Sequence, residues 1–66
     1  MEVLVNGEAQ EIEEGATLQM LVSKLALPNE RIAVELNLEV VRRAAWSATR
    51  LKANDKIEIV HFVGGG

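Results

Sequence analysis

Residues 56–66 read KIEIVHFVGGG, and this stretch decides how the 66-residue chain is organised. This run predicts a strand over residues 56–63, in which Ile57, Ile59, His61 and Val63 share one face and Lys56, Glu58, Val60 and Phe62 share the other. Three of the five glycines follow at once, at residues 64–66. Glycine loses the most backbone entropy on ordering. We therefore predict a folded domain over residues 1–63 and a flexible tail over residues 64–66.

The opening of the chain alternates in the same way and predicts a first strand over residues 1–6. Asn6-Gly7 follows, and this pair favours a type I′ hairpin because both central positions need a positive φ. Residues 8–13 then predict a returning strand that is polar except at Ile12. Its glutamates would discourage pairing with other chains, so we place it at a sheet edge.

An amphipathic helix is predicted after Thr17, which suits an N-cap. Its apolar stripe has the i, i+3, i+4, i+7 spacing and consists of Leu18, Leu21, Val22 and Leu25. Leu27-Pro28 predicts the end of the helix, since a residue before proline is pushed out of the helical region.

Two more strands are predicted at residues 31–36 and 39–41, followed by a less regular segment in which Trp46 and Leu51 are the apolar anchors. The predicted order is β-β-α-β-β-β. One helix covers only one face of a sheet. We therefore predict an α+β fold, with a mixed sheet of four to five strands packed on one helix and the last strand beside the first.

Composition narrows the classes of function. The 7 basic and 10 acidic residues give a net charge of −3, which argues against binding to a phosphate backbone. The chain has no cysteine, which excludes disulfides and thiolate metal sites. We expect no metal site, no membrane segment and no signal peptide, hence a cytoplasmic protein. Its small size argues against an enclosed active site, so we expect no enzyme.

Two features suggest a site near the end of the last strand. Leu4, Val60 and Phe62 are apolar but fall on the face that the helix leaves uncovered, which is typical of a protein interface. Scattered apolar residues are also common on surfaces. The Gly66 carboxylate is the candidate reactive group, with Gly64 and Gly65 allowing the tail into a partner's active site. The alternative is a frayed terminus. A lone histidine such as His61 is most simply structural.

At this point the sequence resembles the ThiS family, the ubiquitin-like sulfur carrier proteins of thiamine biosynthesis. The similarity covers essentially the whole chain. It rests on the opening V5-N6-G7-E8, the helix start T17-L18-x-x-L21, the central RIAVELN at residues 31–37 and the ending IEIVHFVGGG at residues 57–66. The family commonly has Gly-Asp before the last strand, where this chain has Asn54-Asp55.

The resemblance implies a ubiquitin-like β-grasp fold and a carrier whose chemistry is done by partner enzymes. An adenylating enzyme (ThiF-like) would use ATP to convert the Gly66 carboxylate into an acyl-adenylate. Sulfur from cysteine, released by a cysteine desulfurase, would displace AMP and leave a thiocarboxylate. Thiazole synthase (ThiG-like) would then accept the sulfur. The carrier itself would bind no cofactor.

Three alternatives remain open from the sequence. The small sulfur-carrying subunit of molybdopterin synthase shares the expected fold and the Gly-Gly ending. A ubiquitin-like modifier would instead form stable isopeptide conjugates with lysines. A plain interaction domain would bind partners with an inert tail.

Overall fold

The computed structural model describes residues 1–62, so Val63 and the predicted tail at 64–66 lie outside the described residues. The predicted order of strands and helix is confirmed. The elements are β1 (Glu2–Val5), β2 (Glu8–Glu11), α1 (Leu18–Lys24), a 3₁₀ helix (Asn29–Arg31), β3 (Ile32–Leu36), β4 (Glu39–Val41), a second 3₁₀ helix (Arg43–Ala48) and β5 (Lys56–His61). The two 3₁₀ helices were not predicted.

The strands form one mixed sheet in the order β2-β1-β5-β3-β4. β5 runs parallel to β1 and antiparallel to β3, so the last strand is central and lies beside the first, as predicted. β2 lies at one edge of the sheet and β4 at the other.

The first hairpin turns at the predicted dipeptide. Asn6 has a φ of 50° and Gly7 a φ of 84°, and Val5 pairs with Glu8 directly across the turn. Both positive angles are those of a type I′ turn. The β3–β4 connection through Asn37 and Leu38 also has two positive φ angles, 51° and 74°.

α1 begins as predicted but ends earlier. The Thr17 hydroxyl accepts a hydrogen bond from the Met20 N–H at 3.2 Å. The prediction that Leu27-Pro28 ends the helix is wrong, because the last helical residue is Lys24 and Ala26 turns left-handed with a φ of 57°. Ala26 N–H bonds the Ser23 carbonyl at 3.0 Å and Leu27 N–H the Val22 carbonyl at 3.4 Å. This is a Schellman ending with alanine where glycine is usual.

The core lies between α1 and one face of the sheet. Its fully buried members include Val3, Leu18, Leu21, Val22, Val34, Trp46 and Ile57. Both predicted anchors of the irregular segment are confirmed, since Trp46 and Leu51 are buried. The Trp46 indole N–H donates to the Val41 carbonyl at 2.9 Å, so the second 3₁₀ helix is fixed to the end of β4.

A buried carboxylate fixes the turn that precedes β5. Asp55 accepts hydrogen bonds from the Lys52 N–H at 2.7 Å and from the Asn37 side-chain amide at 3.0 Å. The Asn37 amide oxygen accepts in turn from the Lys56 N–H at 2.9 Å. Asn54 takes a φ of 70°, which asparagine tolerates better than most residues. The start of β5 is thereby tied to the β3–β4 turn.

The Asn6 side chain continues the β1–β5 pairing beyond the end of β1. Its amide oxygen accepts from the Ile59 N–H at 2.7 Å, and its amide nitrogen donates to the Ile59 carbonyl at 3.2 Å. One asparagine therefore serves both the turn and the central strand. Backbone N–H and C=O groups that are buried without a hydrogen-bond partner cost free energy of folding.

We predict that Asn6→Asp destabilises the protein by about 1–3 kcal/mol, because a carboxylate oxygen would face the Ile59 carbonyl in place of a donor. Aspartate tolerates the positive φ, so the turn itself is kept. Asn54→Asp is the matched control, being an exposed asparagine at positive φ, and it should change stability by less than about 0.5 kcal/mol. Urea unfolding measures the free energy of unfolding of both variants. Equal losses in the two variants would contradict the role given to the Asn6 amide.

We predict that Ala26→Gly stabilises the protein by about 0.5–1 kcal/mol. The left-handed conformation costs alanine roughly 1–2 kcal/mol, which exceeds the extra entropy of about 0.5–1 kcal/mol that glycine loses on folding. Ala9→Gly, at an exposed position of β2, should instead destabilise by about 0.5–1 kcal/mol. The midpoint of thermal unfolding should therefore move in opposite directions in the two variants.

Candidate functional site

The end of β5 is held firmly where the chain leaves the sheet. β5 pairs with β3 over five residues, from Leu36 opposite Ile57 to Ile32 opposite His61. The Phe62 N–H then donates to the Arg31 carbonyl at 2.8 Å, one step beyond the strand. The segment that continues from Phe62 therefore starts from a fixed point on the fold.

The site lies on what we call the open face, the side of the sheet turned away from α1. Two of the three predicted docking residues are strongly exposed there, Val60 at 58% and Phe62 at 53%. Ile57 and Ile59 alternate with them and are buried against the helix. The predicted division of β5 into a core face and an exposed apolar face is thus confirmed up to Ile59.

Leu4, the third predicted docking residue, lies elsewhere on the open face. It is half-buried and pairs with Lys56, four residues before Val60 along β5. Four residues of strand extend about 13 Å. The register therefore brings Val60 and Phe62 together but does not place Leu4 beside them.

Sequence reasoning missed two further residues of the open face, of which only Ala33 lies beside Val60. Ala33 lies directly opposite Val60 in the β3–β5 ladder, and Val40, 70% exposed, lies opposite Glu35 on β4. The alternation of β3 shows that Ala33 and Glu35 point away from the core, since Ile32 and Val34 are buried. The position of Ala33 beside Val60 follows from the register, which no local pattern in the sequence specifies.

His61 alternates onto the face of Ile57 and Ile59, as predicted, but its side chain is exposed. Ile59 is the last buried residue of β5, although Ile32, which pairs with His61, is still buried on β3. The predicted reactive residue Gly66 and the tail residues Gly64 and Gly65 lie outside the described residues. Among residues 1–62, no group of three His, Cys, Asp or Glu side chains is arranged to hold a metal ion.

The fold is the ubiquitin-like β-grasp, a mixed five-stranded sheet that holds one helix across one face. Residues 3–66 match the sequence profile of the ThiS family. The match covers nearly the whole chain and includes the glycines after β5. This chain belongs to the ThiS family.

Individual relatives agree with this assignment. The crystal structure of the thiamine biosynthesis protein ThiS from Geobacter metallireducens superposes with a TM-score of 0.86 at 38% identity, covering 100% of both chains. The sulfur carrier protein ThiS of Bacillus subtilis is 42% identical over 50 residues, 76% of each chain. The thiazole synthase of Magnetococcus marinus is 44% identical over all 66 residues, which are only 20% of that protein. The chain thus spans about a fifth of the thiazole synthases it matches.

We predict that the apolar side chains of the open face contribute little to folding. Val60→Ala should cost at most about 1 kcal/mol, the whole range of strand propensities. Val34→Ala, the same change at a position 1% exposed in the neighbouring strand, should cost about 2–3 kcal/mol through lost burial and a cavity. Urea unfolding compares the two variants. Equal costs would show that Val60 is needed for the fold rather than available to a partner.

Proposed function

We propose that this chain is a sulfur carrier protein that supplies sulfur for the thiazole ring of thiamine. The observation that carries the proposal is the match to the ThiS family over residues 3–66, which includes the Gly-Gly-Gly ending. The arrangement of the described residues supports it. β5 is hydrogen-bonded on both sides, so the fold presents the following segment at a defined place.

The reacting group in this proposal is the Gly66 carboxylate. A carboxylate is anionic at neutral pH and a poor electrophile, so it requires covalent activation before sulfur can add. A ThiF-like enzyme joins it to the α-phosphate of ATP and releases pyrophosphate. Sulfur derived from cysteine through a desulfurase then attacks the acyl carbon, and AMP leaves with one of the two carboxylate oxygens. The product is a thiocarboxylate at Gly66.

The carrier acts as a substrate for other enzymes and not as a catalyst. ATP is used by the adenylating enzyme, and the carrier holds no cofactor of its own. Gly64 and Gly65 have no side chains, which suits passage into a narrow active site. Thiazole synthase is the proposed acceptor. A thiazole synthase from Magnetococcus marinus that contains a stretch 44% identical to this chain supports that partner.

Val60 and Phe62 are the proposed docking residues, and Leu4 extends the surface further along the sheet. Exposed apolar side chains next to one another commonly mark protein interfaces. Both Val60 and Phe62 lie on the segment that leads to the reactive end. A partner that binds the tail in its active site is therefore expected to contact Val60 and Phe62 at the entrance to that site.

The proposed place of action is the cytoplasm, because the proposed activation of Gly66 consumes ATP. No helix among the described residues is long and apolar enough to cross a membrane.

The test is mass spectrometry with fragmentation after incubation with ATP, a sulfur source and a ThiF-like enzyme. We expect one oxygen of Gly66 to be replaced by sulfur only when ATP is present. Fragmentation is essential because oxidation of Met1 or Met20 adds nearly the same nominal mass. A variant lacking Gly66 is the control and should remain unmodified at its terminus.

Two results would contradict the proposal. Stable conjugates to lysines in place of a free thiocarboxylate would indicate a ubiquitin-like modifier. An unmodified Gly66, in the presence of an enzyme that adenylates a known carrier in the same assay, would indicate an inert tail.

A further inference from the structure

The backbone of β5 turns its hydrogen-bonding groups alternately toward its two neighbouring strands. Toward β3, the Phe62 N–H donates to the Arg31 carbonyl at 2.8 Å, and the Lys56 carbonyl accepts from the Asn37 N–H at 2.7 Å. In an antiparallel ladder every second residue bonds the partner strand, so the even-numbered residues from Lys56 to Phe62 face β3. The N–H and carbonyl groups that face the side of β1 are those of Ile57, Ile59 and His61.

The bonding partners on the side of β1 end before β5 does. The Ile57 carbonyl accepts from the Asn6 N–H at 2.8 Å. The Asn6 side chain then bonds the N–H and the carbonyl of Ile59, at 2.7 and 3.2 Å. The chain turns back into β2 at Gly7. Within residues 1–62, neither the N–H nor the carbonyl of His61 therefore has a hydrogen-bond partner.

The space next to these two free groups is open. The side chain of His61 is exposed, and β1 has ended at Val5. Gly7 follows Asn6 in the hairpin turn, and a Cβ built on it would meet no atom within 4 Å. An extended segment of another protein can therefore lie alongside His61, where a longer β1 would have run.

The residues that follow β5 offer a partner little besides their backbone. Residues 64–66 are all glycine, so no side chain there can be recognised. Strand addition suits such a segment, because its affinity comes from main-chain hydrogen bonds. A strand edge with unpaired N–H and C=O groups is a template for pairing with another chain. The free edge at His61 is the place in the fold from which pairing along the tail can begin.

We propose that an enzyme that takes Gly66 into its active site adds an extended segment to β5 on the side where β1 has ended. The main chain of that segment bonds the N–H and the carbonyl of His61. It lies about 4.8 Å from β5, next to the Asn6 side chain, and pairs further along with the odd-numbered residues Val63 and Gly65. This inference rests on the proposed function, since it requires an enzyme that acts on Gly66.

The first test is amide hydrogen exchange, followed by NMR in the free protein and in complexes with a ThiF-like enzyme and with thiazole synthase. In the free protein, the His61 amide should exchange at least about tenfold faster than that of Phe62, which is bonded to β3. In the complex with either enzyme, exchange at His61 should slow by about tenfold or more. The Ala9 amide points outward from β2, because Gln10 and Glu8 bond β1, and it should stay fast.

The second test replaces the His61 N–H by an ester oxygen through chemical synthesis of the 66-residue chain. The same replacement at Ala9 is the matched control. Each ester removes one outward N–H and weakens one carbonyl that is already paired in the sheet, so thermal unfolding should change equally in both. For the enzyme that protects His61, the His61 ester should raise the Kd by about tenfold, as expected for one lost main-chain hydrogen bond. The Ala9 ester should bind like the parent.

Two outcomes would overturn the inference and leave the sulfur-carrier proposal intact. The first is a His61 amide that stays unprotected in both complexes. The second is a His61 ester that binds as tightly as the Ala9 ester, which would show that protection comes from burial alone. A parent protein that binds neither enzyme and is not adenylated would instead contradict the proposed function, and this inference with it.

Discussion

The pairing of β5 with β1 on one side and with β3 on the other is the constraint on which the rest of the structure depends. β1 pairs in parallel with β5 through only two residue pairs, Leu4 with Lys56 and Val5 with Ile57. Asn6 lengthens this short ladder by bonding both backbone groups of Ile59. Because β5 is central, Ile57 lies between Val5 of β1 and Leu36 of β3, and Ile59 lies opposite Val34 of β3. The two ends of the chain are thereby joined in one sheet.

Among residues 1–62 of this 66-residue chain, one α-helix of seven residues is available to cover this sheet. Only one face can therefore be buried, and the other remains in water. Stability comes from the covered face, where seven large side chains are fully buried. The open face is under no such requirement. Its apolar residues are free to serve binding, and they lie next to the strand end that leads to the reactive carboxylate of the proposed function.

Local signals in the sequence predicted the elements well, because the determining contacts are short in range. Alternation specified β1 and β5, the Asn6-Gly7 pair specified the first turn, and Thr17 specified the start of α1. The end of α1 was misjudged because proline at position 28 gives a strong signal, whereas the helix had already ended through a left-handed alanine, a conformation that alanine rarely adopts.

The candidate site was predicted less completely, because it depends on register between distant strands. The sequence identified Val60 and Phe62 from alternation alone. It grouped Leu4 with them because all three fall on the same face, but the two-pair β1–β5 ladder places Leu4 beside Lys56. It missed Val40 and Ala33 for the same reason. His61 is exposed although its partner Ile32 is buried, a difference that only the three-dimensional packing determines.

The sheet edges explain how a protein with an exposed apolar face can avoid pairing with its own copies. β4 is only three residues long, and its last carbonyl, that of Val41, accepts the Trp46 indole N–H. At the other edge, β2 carries Glu8 and Glu11, and the Lys24 ammonium donates to the Glu11 carbonyl. Short strands, charges and capped carbonyls all oppose strand addition by another chain. Because backbone pairing is discouraged at both edges, the side chains of the open face and the end of β5 are the parts of the sheet left available to a partner of the proposed function.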